Sequence, residues 1–536
     1  MVRRSTATGM AARTGSLATA LVAGLGLAAA VPGCTAEGSV SLHFDVPDDP
    51  ALRPGGAASL TLVTQIDADA PRATTTQIGA DGQVDLGDLP VADEVWLSAE
   101  LRSAQGQLVG YGRASAPLAI LADADVEATI PVRRPFAYIA GAGNRLVSVD
   151  ASLGRSAGYQ TQVALPGSAE VVADVAGTDL ATVSAQGALA YVSTATHGAS
   201  SLPGAQLGPS PTDAIATPDG AYLLVAHAGT SPQVSVIEVA TGQVKVAPTP
   251  MAADRVATTR GSDGGWWGVA LLGRATVDTG CPGSKLAVFR LTDPETATVI
   301  DAGAGISDVG GDARSGLIVL ADRCGNRLLR FDPVSQAIDQ AAIVDGIKAP
   351  TALAVLDGHV WAVGHDRLTT TSPEIPDGVI DAWLVVASAD LDGDPSQVME
   401  LPPIVERVLA ENADYPDQDL VQDLHANWVE ADDLAISPSG DLLALTLSTI
   451  LHGDALGDDG FGGVLIPRVD VTTQEYWLFD PSTTVTNQRI RTSCVADEGP
   501  CGAFCLVPDW SCLPDIDASV SGTFAPSGIA VLFGAR

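Results

Sequence analysis

Along residues 135–536 the hydrophobic positions fall in short runs broken by turn-forming residues, and the same order of runs recurs. The clearest unit starts at Asp213-Ala214-Ile215-Ala216-Thr217-Pro218-Asp219-Gly220. It continues through Ala221-Tyr222-Leu223-Leu224-Val225-Ala226-His227 and Val234-Ser235-Val236-Ile237-Glu238-Val239, then closes on Thr241-Gly242-Gln243-Val244. Apolar runs of this length, bounded by Asp-Gly and Thr-Gly, predict four strands joined by tight turns. Asp433-Leu434-Ala435-Ile436-Ser437-Pro438-Ser439-Gly440 before Leu442-Leu443-Ala444-Leu445 repeats the plan. So does Leu317-Ile318-Val319-Leu320-Ala321-Asp322 before Asn326-Arg327-Leu328-Leu329-Arg330-Phe331-Asp332. Residues 34–134 read differently. Val40, Leu42, Phe44 and Val46 alternate with polar residues, and Val95–Leu101 forms a further strand pattern, which predicts a small β-sandwich.

The unit from Asp213 to Val244 closely resembles one repeat of the YVTN family of bacterial surface β-propellers. It departs from the family at the signature strand, which here reads Leu224-Val225-Ala226-His227. The resemblance implies an all-β fold in which residues 135–536 form a β-propeller. Turns between the first two strands of successive units are placed at Gly177, Gly220, Gly264, Gly316, Gly358, Gly440 and Gly528. Most are spaced near the ~40–50 residues of a four-stranded blade. Seven blades is the leading count and eight is the alternative. The ring is expected to close by joining Gly522–Phe533 to Phe136–Asp150, although Ile529–Phe533 and Phe136–Ala140 both read as a second strand. In the preceding part, Gly82–Pro90 resembles the prealbumin-like sandwiches at the front of bacterial surface proteins.

Composition bears on location. Acidic residues number 64 against 28 Lys and Arg, a net charge of -36, which excludes a nucleic-acid backbone as partner. Arg3, Arg4 and Arg13 precede the apolar run Leu17–Val31, which at about 15 residues is the length of a signal-peptide hydrophobic region and short for a membrane span. Val31-Pro32-Gly33-Cys34 resembles a bacterial lipobox, with Pro32 where the family prefers a small residue. The resemblance implies that residues 1–33 are a signal peptide and that Cys34 is lipidated and opens the mature chain. An ordinary secretory signal cut after Ala30 or Gly33 is the alternative. Thr35, in place of Asp, points by resemblance to enteric sorting rules to an outer-membrane lipoprotein of the bacterial cell envelope.

Six further cysteines remain, an even number suited to disulfides in an oxidising compartment. Cys281 and Cys324 fall in loops of neighbouring units and are placed to staple them. Cys494, Cys501, Cys505 and Cys512 form a second cluster whose pairing the sequence leaves open. Extra sequence gathers at Gly273–Ser284, His365–Gly378, Val405–Val429, Leu451–Pro467 and Arg491–Ser521, all expected on one propeller face.

Two weaker metal candidates stand out. Asp390, Asp392 and Asp394 alternate as a hard cation such as calcium prefers, without the spacing of an EF-hand. His452, Asp454, Asp458 and Asp459 share a Gly-rich stretch. No nucleophile elbow, Walker loop or zinc-protease helix is present. The expectation is a binding or scaffold module that takes an envelope protein or glycan on the insertion-bearing face. The alternative is a calcium-dependent hydrolase or lyase with a site in the channel.

Overall fold

The computed structural model describes residues 21–22, 37–66, 72–77, 89–368, 382–400, 421–436, 443–457, 464–465, 469–479, 486–496 and 526–532, short breaks within these ranges aside. Every regular element among them is a β-strand. The first strands, up to Asp125–Arg133, belong to one nine-stranded sheet around a core that includes Leu42, Leu60, Leu62, Val95, Leu97 and Ile130. Its strand Glu37–Asp45 runs parallel to Asp125–Arg133, with Ser39 opposite Asp125 and Asp45 opposite Pro131. Leu21–Val22 adds two antiparallel pairs to the same strand.

Among the described residues, seven small antiparallel sheets follow within residues 136–532. In the third, Pro211–Ala216, Tyr222–His227, Gln233–Glu238 and Gln243–Pro248 pair in sequence order. The turn between the first two is fixed by its own side chains. Thr217 Oγ1 donates to Asp219 Oδ1 at 2.6 Å, Asp219 Oδ1 accepts the Ala221 N–H at 3.0 Å, and Gly220 supplies the left-handed backbone at φ 68°. The middle strands are buried on both faces, because each sheet is packed between two others. That is why Tyr222–His227 and Leu317–Asp322 read as continuous apolar runs. One core cluster joins Leu224, Val236, Val256 and Phe289 across the third and fourth sheets, and another joins Val269, Val288, Ile318 and Phe331 across the fourth and fifth. Trp266 and Trp267 pack into these two seams respectively.

The first strands of the sheets touch in turn around a ring: Val171–Val175, Pro211–Ala216, Ala253–Arg260, Ile306–Asp312, Lys348–Leu356 and Val421–Ile436. Pro526–Leu532 completes it, touching both Val421–Ile436 and Val171–Val175. This is a β-propeller, and its closure settles the ambiguity in the sequence. Pro526–Leu532 is the innermost strand of the first sheet, and Phe136–Gly141, Arg145–Asp150 and Gln160–Ala164 lie successively outward. Gly528 therefore lies in that inner strand opposite Ala140, and not in a turn between strands. Closure gives the first sheet its fourth, innermost strand and joins the two ends of the chain's propeller in one sheet.

Candidate functional site

The inner strands line a central channel containing a cavity of about 290 Å³. The ladder slips by a β-bulge at the start of three inner strands, between Pro211 and Asp213, Ala253 and Arg255, and Ile306 and Asp308, and again between Ala431 and Asp433, late in the long strand Val421–Ile436. The residue after each slip lines the cavity, so one structural position is filled in turn by Asp213, Arg255, Asp308 and Asp433.

Two of these carboxylates tie neighbouring sheets together. Asp213 Oδ1 accepts the following N–H of Ala214 at 2.9 Å, while Oδ2 accepts the N–H of Val256 on the next inner strand at 2.8 Å. Asp308 does the same with Val309 at 2.9 Å and Leu353 at 2.8 Å. Asp433 Oδ1 accepts the Leu434 N–H at 2.9 Å. Arg255 Nε stands 3.5 Å from Asp308 Oδ1. Burial pushes the Asp213 carboxyl up to about 6; Arg255 opposes the rise, and the carboxylates of Asp433 and Asp308 add to it. Asp308 is likewise raised by burial, against the pull of Arg255 and Arg274. Towards the opposite end of the channel, Asp174 is raised to about 7 by burial, although its Oδ1 accepts the Gly177 N–H at 2.8 Å.

Over the bulged end lies the loop between Trp266–Leu272 and Gly283–Arg290. Its backbone and side chains are fastened to the next sheet. Ala275 N–H donates to Ile306 O at 2.7 Å, Arg274 Nε donates to Ser307 O at 2.8 Å, and Gly305 N–H donates to Pro282 O at 2.9 Å. Asp254 Oδ2 accepts the Arg274 N–H at 2.9 Å. Cys281 and Cys324 are joined by a disulfide with Cα atoms 6.0 Å apart, bridging the corresponding loops of the fourth and fifth sheets.

The other residues singled out from sequence are scattered. Asp390 ends the strand Ala382–Asp390 opposite His359, at the turn end of the sixth sheet and away from the bulged end. Asp392 and Asp394 lie outside the described residues. His452 and Asp454 lie on the strand Leu443–Gly457, in register with His425 and Gln422 of the strand beside it. Asp458 and Asp459 are outside the described residues, as are Cys34, Cys501, Cys505 and Cys512. Cys494 sits in the strand Thr486–Ala496 opposite Thr473. All five stretches expected as loops are therefore partly strand, at residues 283–284, 365–368, 421–429, 451–457 and 491–496. Among the described residues no group of three or more His, Cys, Asp or Glu is arranged to hold a metal ion. The roles of Asp213, Arg255, Arg274 and Asp308 were not legible from sequence, although Asp213 and Asp433 open the two best repeats.

No family model and no curated protein matches this chain. Solved structures similar to it include a chain of Kuenenia stuttgartiensis hydrazine synthase, at 15% identity and TM-score 0.36, covering 56% of this chain and 89% of that one. A chain of a nidogen/laminin complex is similar at 11% identity and TM-score 0.33, covering 49% and 92% respectively. The β-propeller domain of Myceliophteria thermophila Cps50 (Swd1) is similar at 14% identity and TM-score 0.36, covering 60% and 95%.

Proposed function

We propose that this chain is a cell-envelope lipoprotein that acts as a binding or scaffold module, using the loop-bearing face of its propeller to hold an envelope protein or glycan. One observation carries the reading: the loop Gly273–Pro282 is built over the adjacent sheet by three backbone-directed hydrogen bonds and a disulfide. A surface fixed in this way loses little conformational entropy when a partner docks. The channel carboxylates support the same choice over a calcium-dependent hydrolase or lyase. Both oxygens of Asp213 and of Asp308 already accept backbone N–H groups, one from the following residue and one from the next inner strand. Anchoring through acyl chains on Cys34, in the outer membrane, is part of this reading and draws on the lipobox resemblance.

Photo-crosslinking in native envelopes tests it. A benzoyl-phenylalanine placed at exposed Thr230, in the loop between Tyr222–His227 and Gln233–Glu238, is expected to give discrete adducts. The same probe at exposed Ala240, at the opposite end of that sheet, is expected to give none. Adducts only at Ala240, or hydrolysis of an ester or lactone that Asp308→Asn abolishes, would overturn the reading.

A further inference from the structure

The way the N-terminal sheet meets the propeller fixes which propeller face is near the N-terminus. Its last strand, Asp125–Arg133, passes through only Arg134 and Pro135 into Phe136–Gly141. Phe136 lies opposite Leu532, so this junction is at the turn end of the sheet, where the inner strand finishes. Further links among the described residues lie at that same end. Arg113, its guanidinium 3.8 Å over the Trp96 ring, donates to Pro218 O at 3.2 Å in the turn after Pro211–Ala216. Leu52 packs with Phe136 and Tyr138, and Tyr138 Oη lies 2.7 Å from Nε2 of His197 in the turn before Ala199–Gln206. Asp179, beside the first turn of the second sheet, feels the charge of Arg133.

The parallel pairing then gives the direction outward. Asp45 is at the propeller end, where Arg133 donates from Nη1 to Asp45 O at 2.8 Å and from Nη2 to its carboxylate at 3.1 Å. Ser39 pairs with Asp125 at the other end of the same strands. Six residue steps place Ser39 about 20 Å further from the propeller than Asp45. Cys34 precedes Glu37 by three residues. The disulfide-bearing loops lie at the far ends of the propeller strands, another ~20 Å beyond the turns.

We infer that the N-terminal sheet is a pillar between the membrane and the propeller: its Glu37 end faces the lipid surface, the turn face of the propeller looks back at the pillar, and the Cys281–Cys324 face is held outermost, away from the lipid. This rests on the lipid-anchor reading above.

Energy transfer to the bilayer tests the orientation. The full lipidated chain carries a donor dye on a clickable residue at Thr230 or at Ala240 and is bound to phosphatidylethanolamine/phosphatidylglycerol vesicles with headgroup acceptors. Transfer is expected to be clearly stronger from Ala240. Acylated protein with equal transfer, or with stronger transfer from Thr230, overturns the pillar and leaves the anchor standing. Protein whose intact mass shows no acyl groups on Cys34 removes the anchor and this orientation together.

Discussion

Asp213 reaches from one inner strand to the next, accepting the backbone N–H of Val256 at 2.8 Å while its other oxygen holds the N–H of Ala214 at 2.9 Å. Asp308 repeats the arrangement with Leu353. These are joints of the ring, each made by a side chain that reaches from one inner strand to the next.

Removing a joint strands its donors. Asp308→Ala is expected to cost about 1–3 kcal/mol for each N–H left without an acceptor. Asp308→Asn, which keeps one acceptor oxygen, should cost less. Urea denaturation of the two variants measures this, and equal stability of Asp308→Ala and the parent would rule the joint out.

The acid-base behaviour of Asp174 has a definite sign. Its carboxyl is raised to about 7 by burial, so between pH 4 and 7 the folded chain keeps a proton that the unfolded chain has released. The stability that this group contributes is present at low pH and is lost as pH rises through that window. Asp213, raised to about 6, acts in the same direction. Asp174→Asn should therefore gain stability relative to the parent as pH is raised from 5 to 8, read from unfolding midpoints at each pH.

Two histidines, one buried and one half-buried, act in the opposite sense. Burial holds His197 and His227 down at about 4. The unfolded chain takes up protons first as pH falls from about 6.5, so their contribution is present above that value and is lost towards pH 4. His227 Nε2 lies 2.9 Å from Ser235 Oγ in a fully buried pair. His227→Gln should flatten the acid limb of the stability profile, while it lowers stability at pH 7.5 through lost packing.

The disulfide closes a loop with a sequence separation of 43. Chain-entropy reasoning assigns a loop of that size about 4 kcal/mol, the upper end of the usual range of roughly 2–4 kcal/mol. A Cys281→Ser/Cys324→Ser double variant should melt several degrees lower than the parent. A melting temperature that does not move would show that the hydrogen bonds of the loop hold the seam unaided.

Truncation after residue 525 removes the inner strand of the first sheet and leaves Phe136–Gly141 as an open edge on the channel. The truncated chain should aggregate or be trimmed by protease, and a peptide spanning 522–536 should restore a compact species on gel filtration.

The all-β class and the propeller were legible because the middle strands, buried on both faces, write themselves as unbroken apolar runs such as Leu223–Ala226 and Ile318–Ala321. The same property hid the closure. An inner strand packed between two neighbours is as apolar as a second strand, so in sequence Ile529–Phe533 and Phe136–Ala140 read alike and Gly528 reads as a turn. Leu451–Gly457 contains His452, Gly453 and Asp454, which read as loop, but pairing to strands on both sides supplies partners that local sequence does not display. The role of Asp213 depends on a backbone amide 43 residues later, and no local pattern encodes that distance.

The first sheet of the ring takes three strands from residues 136–164 and its fourth from residues 526–532. At synthesis rates of roughly 5–20 residues per second, those partners are born tens of seconds apart. Until the last strand arrives, the channel edge of Phe136–Gly141 is a bare row of amides and carbonyls beside an incomplete ring. The chain must therefore pass through a period in which its earliest propeller strands wait exposed, and any chaperone that serves it has its work set by that interval.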